Sequence, residues 1–319
     1  MASGPGARSV RVPTPGDLSR AWEIIRGELP PSPLLPLDPG LFAKLETRQP
    51  TGSFKVRGAL SALSRLPAGT HAVTASAGNH GLGVAWASER LGVPATIVIP
   101  TGASAAKRAA LRRYPVQLIE HGEGYEAAEN HALNLASGGG VYVSPYNDPD
   151  VIAGQSTIGR ELDAELGGGP LTVVCPVGGG GLCAGLALWA RTRPGTSVVG
   201  VEVDRSMAVS ASARAGRVVQ VHVGPTLADG LAGNLEPDSI TPVLIAAAGV
   251  HLVTVSEEQL VDALRTSVLE LGLTVEGAAA VPLAAMLAGL VPPTPRTVLI
   301  LSGRNIAPTT LARVLAGEA

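Results

Sequence analysis

Cysteine is almost missing from this 319-residue chain: there are two, Cys175 and Cys183, both in apolar surroundings. That is too few for a disulfide scaffold or a cysteine-built metal centre, and it suits a reducing compartment. Charge is scarce too. Charged residues make up 16% against 45% hydrophobic, and 24 basic side chains meet 26 acidic ones, for a formal net charge of −2. Such a balance gives no electrostatic footprint for nucleic acid or an anionic membrane. No apolar run reaches the roughly 18 residues that a membrane-spanning helix needs. The opening "MASGPGARSVRVPTPGD" lacks the apolar segment of a secretory signal, so a cytoplasmic location is expected. Neither a GxGxxG nor a Walker A sequence occurs, which removes the fingerprints of dinucleotide and nucleoside-triphosphate sites.

Lysine is rarer still. Of the 24 Lys plus Arg residues only Lys44, Lys55 and Lys107 are lysines. An arginine bias by itself would leave a few lysines behind. A guanidinium, however, stays protonated, whereas a lysine amine can lose its proton and attack a carbonyl. Lys55, in "TGSFKVRGAL" between Phe54 and Val56, is therefore a candidate nucleophile. Lys44 lies in an alternating, strand-like stretch and Lys107 on a basic helix.

What the chain has in quantity is alternation. Short β-branched runs at 71–76, 95–100, 141–145, 171–177, 197–203, 251–256 and 297–302 are separated by alanine-rich helical stretches such as "GLGVAWASERLG". Leu18, Ala21, Trp22 and Ile25 follow the spacing of an amphipathic helix, and Ser256 with Gln259 forms a capping box. Apolar strands alternating with helices predict an α/β fold with parallel sheets covered on both faces. The length admits one large α/β domain or two domains, and no composition shift marks a boundary.

Gly-rich turns fall at strand-to-helix junctions, where open α/β sheets bind ligands. In "ASAGNHG" (75–81), small residues let backbone N–H groups approach an anion at a helix start, with Asn79 and His80 adding side-chain donors. An ordinary βα turn would read the same. "VGGGGL" (177–182) places four glycines straight after a buried strand. Each costs up to roughly 1 kcal/mol relative to alanine, so a phosphate cradle of bare amides explains the run better than a tight turn does. "LSGRN" (301–305) offers a serine that would bond a ligand or cap the next helix. Glu276 in "VEGAAA" opens a helix, where acids are common for dipole reasons alone.

Together, an amine beside an aromatic ring, a phosphate cradle, an anion-binding turn and a neutral hydroxyl point to pyridoxal phosphate. The order "TGSFKVRGAL", "ASAGNHG", "SPYNDPDVIAGQSTIGREL", "VGGGGLCAG", "TLADGLA", "LSGRN" resembles the fold-type-II (tryptophan synthase β-like) pyridoxal-phosphate family, specifically its serine/threonine dehydratases and serine racemases. The resemblance implies two parallel-sheet α/β domains: residues 1–69 with 148–319 binding the cofactor, and a small mobile domain at 70–147. It implies Lys55 as the Schiff-base lysine, Phe54 against the ring, Asn79 at the phenolic oxygen and Ser302 at the pyridine nitrogen. Gly178, Gly179, Gly180, Gly181 and Leu182 would hold the phosphate, and Glu276 joins the cofactor-contacting set. Ser76, Ala77, Gly78, Asn79 and His80 would hold the substrate carboxylate. The expected activity is α,β-elimination from a β-hydroxy amino acid, giving a 2-oxo acid and ammonia, in a homodimer. β-Replacement, racemisation and a non-catalytic cofactor-binding role are the alternatives.

Several positions depart from the family pattern. Position 77, a serine in the racemases, is alanine here. Glu202 matches the first carboxylate of a family cation site, but Ala208 stands where a second acid is expected, so no bound metal is expected. Arg304 replaces a glycine and is expected near the ring. No regulatory extension is expected after the last strand and helix.

Overall fold

The computed structural model describes residues 10–292 and 294–318; residues 1–9 of the N-terminal stretch read above lie outside the described residues. The strands are β1 (Leu34–Asp38), β2 (Leu41–Leu45), β3 (His71–Ala75), β4 (Ala95–Ile99), β5 (Gln117–Glu120), β6 (Gly140–Tyr142), β7 (Leu171–Pro176), β8 (Thr196–Val203), β9 (His251–Val255) and β10 (Thr297–Leu301). The helices are α1 (Pro15–Glu28), α2 (Lys55–Leu63), α3 (Asn79–Leu91), α4 (Ala105–Leu111), α5 (Tyr125–Ser137), α6 (Pro149–Leu166), α7 (Gly181–Ala190), α8 (Ala208–Ala215), α9 (Thr241–Ala247), α10 (Glu257–Leu269), α11 (Gly277–Leu287) and α12 (Pro308–Ala316).

The strands form two sheets. One has four strands in the order β5-β4-β3-β6, all parallel. The other has six in the order β1-β2-β10-β7-β8-β9, parallel except for the β1–β2 hairpin. Successive side chains point to opposite faces of a strand. β4, β7 and β10 are buried along their whole length, so both their faces are covered. That is the α/β fold expected from the unbroken apolar runs.

All seven expected strands are present. β6 stops at Tyr142 instead of running on to 145, because Ser144 turns the chain by accepting hydrogen bonds from the amides of Tyr146 and Asn147. The strands that periodicity misses are short or marginal: β1 carries Pro36 and β5 has exposed ends.

The chain divides into two compact units. One comprises residues up to Pro30 with Lys55–Gln155, the other Pro31–Phe54 with Ser156 onward. The division implied by the family resemblance, at 70 and 147, keeps residues 55–69 with the larger sheet. Here α2 clusters with the four-stranded sheet for a packing reason. Its Val56, Ala59, Leu60 and Leu63 share a core with Val84 and Ala87 of α3 and with Ala95. Gly83 permits the close approach, since a Cβ there would lie 3.0 Å from the Lys55 carbonyl oxygen.

In the other unit Lys44 of β2 is fully buried. Its ammonium lies 2.9 Å from a carboxylate oxygen of Glu161 and 2.9 Å from one of Glu165, and it donates to the Ser32 carbonyl at 2.6 Å. Glu161 is itself buried and accepts from the Ser32 amide. Removing the lysine strands that carboxylate, which typically costs about 3–5 kcal/mol. Lys44→Met is therefore expected to lower the unfolding free energy by that order in denaturant titration, and loss of less than about 1 kcal/mol would show the pair to be structurally idle.

Candidate active site

In the unit with the four-stranded sheet, Lys55 is the first residue of α2 and half-buried. Its Nζ donates to the Pro145 carbonyl at 2.7 Å. The chain leaves β3 at Ala75, turns through Ser76, Ala77 and Gly78, and enters α3 at Asn79. Gly78 is the N-cap and offers no side-chain cap. Its amide donates to the Ser76 hydroxyl at 3.2 Å. The first amides of a helix have no acceptor within it, so this turn presents donors beside the half-buried residues 76–79.

His80 is placed differently from a carboxylate-binding side chain. Its ring is buried, Nε2 lies 3.1 Å from the Val143 carbonyl oxygen, and Nδ1 has no partner. A carbonyl only accepts, so Nε2 carries the proton and Nδ1 is left as a bare acceptor. Burial, followed by the nearby charge of Lys55, lowers its pKa from 6.5 to about 3. The ring braces the turn as a neutral group, and it has no second proton to offer at ordinary pH.

In the other unit β7 ends at Pro176 and α7 begins at Gly181. Gly180 is left-handed, at φ +84°. A Cβ on Gly178 would come within 3.0 Å of the Leu231 Cα, so these two glycines also answer to chain geometry. The amides of Gly178, Gly179, Gly180 and Gly181 donate to no other described residue. Leu182 follows in the first turn of α7, buried. Four adjacent donors without acceptors at a helix start are an arrangement that attracts an anion.

Ser302, buried just past β10, holds the same unit's Phe54: its carbonyl accepts the Phe54 amide at 3.0 Å, and Ser53 bridges Gly303. Glu276, buried at the start of α11, donates its amide to the Gly303 carbonyl and accepts the Asn305 amide at 3.1 Å. Asn305 Nδ2 donates to the Thr51 carbonyl at 2.9 Å. Arg304 is exposed; its amide bonds the Gly52 carbonyl and its guanidinium bonds the Thr47 carbonyl. Residues 302–305 therefore fasten the segment 47–54 that leads into Lys55, a role in which Arg304 and Asn305 were not anticipated. The motif flagged the positions, but nothing local announces partners some 250 residues away.

The cation site of the family does not fit. Glu202 is buried, which raises its pKa, and it accepts from the amides of Val209 at 2.9 Å and Ser210 at 3.2 Å. Those amides open α8, whose first residue is Ala208. The carboxylate thus serves a helix start, and no cluster of three or more His, Cys, Asp or Glu suited to a metal occurs among the described residues.

Taken unit by unit, the residues present suit pyridoxal phosphate: one unit offers the unpartnered amides of the glycine loop and the neutral buried hydroxyl of Ser302, and the other offers a half-buried amine on Lys55.

The His80 geometry sets an acid limit on stability. An unfolded histidine takes a proton near 6.5, the folded one only near 3. Its contribution is complete above pH 6.5 and declines as the pH falls toward 3, by at most about 1.4 kcal/mol per pH unit. His80→Gln keeps a donor for Val143 and is expected to flatten the unfolding free energy across that window. An unchanged slope would place the acid sensitivity elsewhere.

The match to known proteins covers most of the chain. The family model for pyridoxal-phosphate dependent enzymes matches residues 25–303. An L-threonine ammonia-lyase of Thermotoga maritima is 38% identical over 280 residues, covering 86% of this chain and 69% of the relative. The L-threo-3-hydroxyaspartate ammonia-lyase of Saccharomyces cerevisiae is 33% identical over 320 residues, covering 96% and 98%. Among solved structures, maize serine racemase superposes with a TM-score of 0.86 at 27% identity, covering 96% of this chain and 98% of that one. With its fold, its donor set and this breadth of match, the chain belongs to the pyridoxal-phosphate dependent enzyme family.

Proposed function

We propose that the protein is a dehydratase of β-hydroxy amino acids, releasing a 2-oxo acid and ammonia by α,β-elimination. The relatives named for ammonia-lyase chemistry act on threonine and threo-3-hydroxyaspartate, both α-amino acids with a β-hydroxyl. The observation that carries the reading is Ser302, a buried neutral hydroxyl where β10 ends. A carboxylate facing the pyridine nitrogen would enforce its protonation; a serine does not, which favours departure of a β-substituent over transamination.

When bound, the cofactor supplies an electron sink for the pair left on the substrate α-carbon. Lys55 would hold the cofactor through its Nζ, and that amine, once free, is the group suited to take the substrate α-proton. The β-hydroxyl would leave with one proton as water, so that the α-proton and the hydroxyl together make up the water lost, and a later water molecule would release ammonia and the 2-oxo acid. In this reading the turn Ser76–His80 would orient the substrate carboxylate through the amides at the start of α3, Asn79 would bond the phenolic oxygen of the cofactor and Phe54 would lie against its ring. The amides from Gly178 to Leu182 hold the phosphate, with Glu276 bracing the Ser302–Asn305 strap. Residues 70–147 are the segment we assign to domain closure, which would exclude water during the reaction. A homodimer is the assembly this reading carries.

Racemisation needs a second proton donor on the face opposite Lys55. Ala77 has none, and His80 is bonded to Val143 as a neutral ring. Incubating the holoenzyme with L-serine, L-threonine and threo-3-hydroxyaspartate, with 2-oxo acid, ammonia and chirality followed together, tests the reading. At least one substrate is expected to yield equal 2-oxo acid and ammonia with little D-enantiomer, and Lys55→Ala to abolish the reaction. Oxo-acid formation that survives Lys55→Ala, or racemisation as fast as elimination, would overturn it.

A further inference from the structure

One buried hydroxyl outside the glycine loop bonds the loop's backbone. Thr241, the first residue of α9, is fully buried, and its Oγ1 donates to the Gly179 carbonyl oxygen at 2.6 Å. Ser239 Oγ lies 3.0 Å from the same Oγ1. A hydroxyl has one proton to give, and a carbonyl can only accept. Thr241 therefore spends its proton on Gly179, and Ser239 is the donor in the second bond. Ser239 is in turn anchored by its amide to the Glu236 carbonyl at 3.0 Å.

The described residues contain no cis peptide bond. In a trans peptide the C=O of one residue and the N–H of the next point to opposite sides. Holding the Gly179 oxygen against Thr241 thus turns the Gly180 N–H to the face away from Thr241. The restraint matters because this peptide lies between two glycines, which adopt either sign of φ at little cost. Flipped, it would present a carbonyl oxygen where an amide proton had been, and so repel the anion that the other amides attract. The fit is mutual: a Cβ at Gly180 would lie 2.9 Å from both Cβ and Oγ1 of Thr241. The wall that forbids a side chain at 180 also latches the peptide before it.

We propose that Thr241 is a positioning residue that locks the Gly179–Gly180 peptide in its anion-binding orientation, with Ser239 orienting the Thr241 hydroxyl. The inference rests on the reading that this loop takes the cofactor phosphate. It specifies a residue 62 positions away in sequence that determines how well the loop does so.

Thr241→Val keeps the wall and removes the donor; Thr241→Ser keeps the donor. Dissociation constants for pyridoxal phosphate and for phosphate-free pyridoxal, together with the ³¹P NMR signal of the holoenzyme, separate the roles. Thr241→Val is expected to weaken pyridoxal phosphate by about two- to ten-fold, the net worth of one neutral hydrogen bond. It should leave pyridoxal binding unchanged and shift or broaden the ³¹P resonance. Thr241→Ser should stay within about two-fold of the parent. Should Thr241→Val not fold, Thr241→Ala is expected to give the same phosphate-specific loss. A parental constant and ³¹P signal in the Val or Ala variant, while Gly180→Ala loses phosphate-dependent binding, would overturn the latch and leave the loop as the phosphate site. If Gly180→Ala also binds both ligands as the parent does, the loop is not the phosphate site and both readings fall.

Discussion

Helices that begin just past the ends of parallel strands leave their first amides without acceptors, and the chemistry of this chain hangs on how each start is completed. Some are closed internally. Glu202 reaches the amides of Val209 and Ser210, and Ser256 and Gln259 form the expected capping box. The starts of α3 and α7 are opened by Gly78 and Gly180 and have no side-chain cap. An uncapped start is not by itself a site, since α5 opens at Gly124 without a side-chain cap as well. The starts of α3 and α7 stand out because they coincide with the Gly-rich motifs that follow β3 and β7. The acid at the family's cation position, Glu202, is one that serves a helix start.

The scarcity of lysine has two physical explanations in one chain. Lys44 is a compact point charge that reaches a carbonyl and two carboxylates from inside a sheet, a geometry less suited to a planar guanidinium. For Lys55 the proposed explanation is an amine that exchanges one carbonyl partner for another. Rarity therefore marks positions worth explaining without saying which explanation applies. The surroundings decide: Lys44 is sealed among acids, while Lys55 is half-buried at a helix start and tied to the Pro145 carbonyl.

The central strands were legible because a strand buried on both faces must be apolar at every position, as β4, β7 and β10 are. The edge strands β1 and β5 were not, because a half-exposed strand with a proline or polar ends satisfies no single period. Lys55, the glycine loop and Ser302 could be singled out as candidates because each lies in a short contiguous motif. The environment of His80 was hidden, since only the tertiary fold brings the Val143 carbonyl to its ring. Thr241 was hidden for the same reason: "SITP" reads as a helix start, and its partner at Gly179 exists only once α9 packs beside the loop. The bond from the Arg304 guanidinium to the Thr47 carbonyl was likewise hidden, because it joins residues far apart in the sequence.

The central claim is that the amine at position 55 carries the cofactor. Borohydride reduction of the holoenzyme followed by peptide mapping tests it directly, because reduction fixes the cofactor to whichever lysine holds it. The label is expected on the peptide containing Lys55 alone, with none on Lys44 or Lys107. A label on either of those two, or a reduced holoenzyme with no lysine labelled, would contradict it.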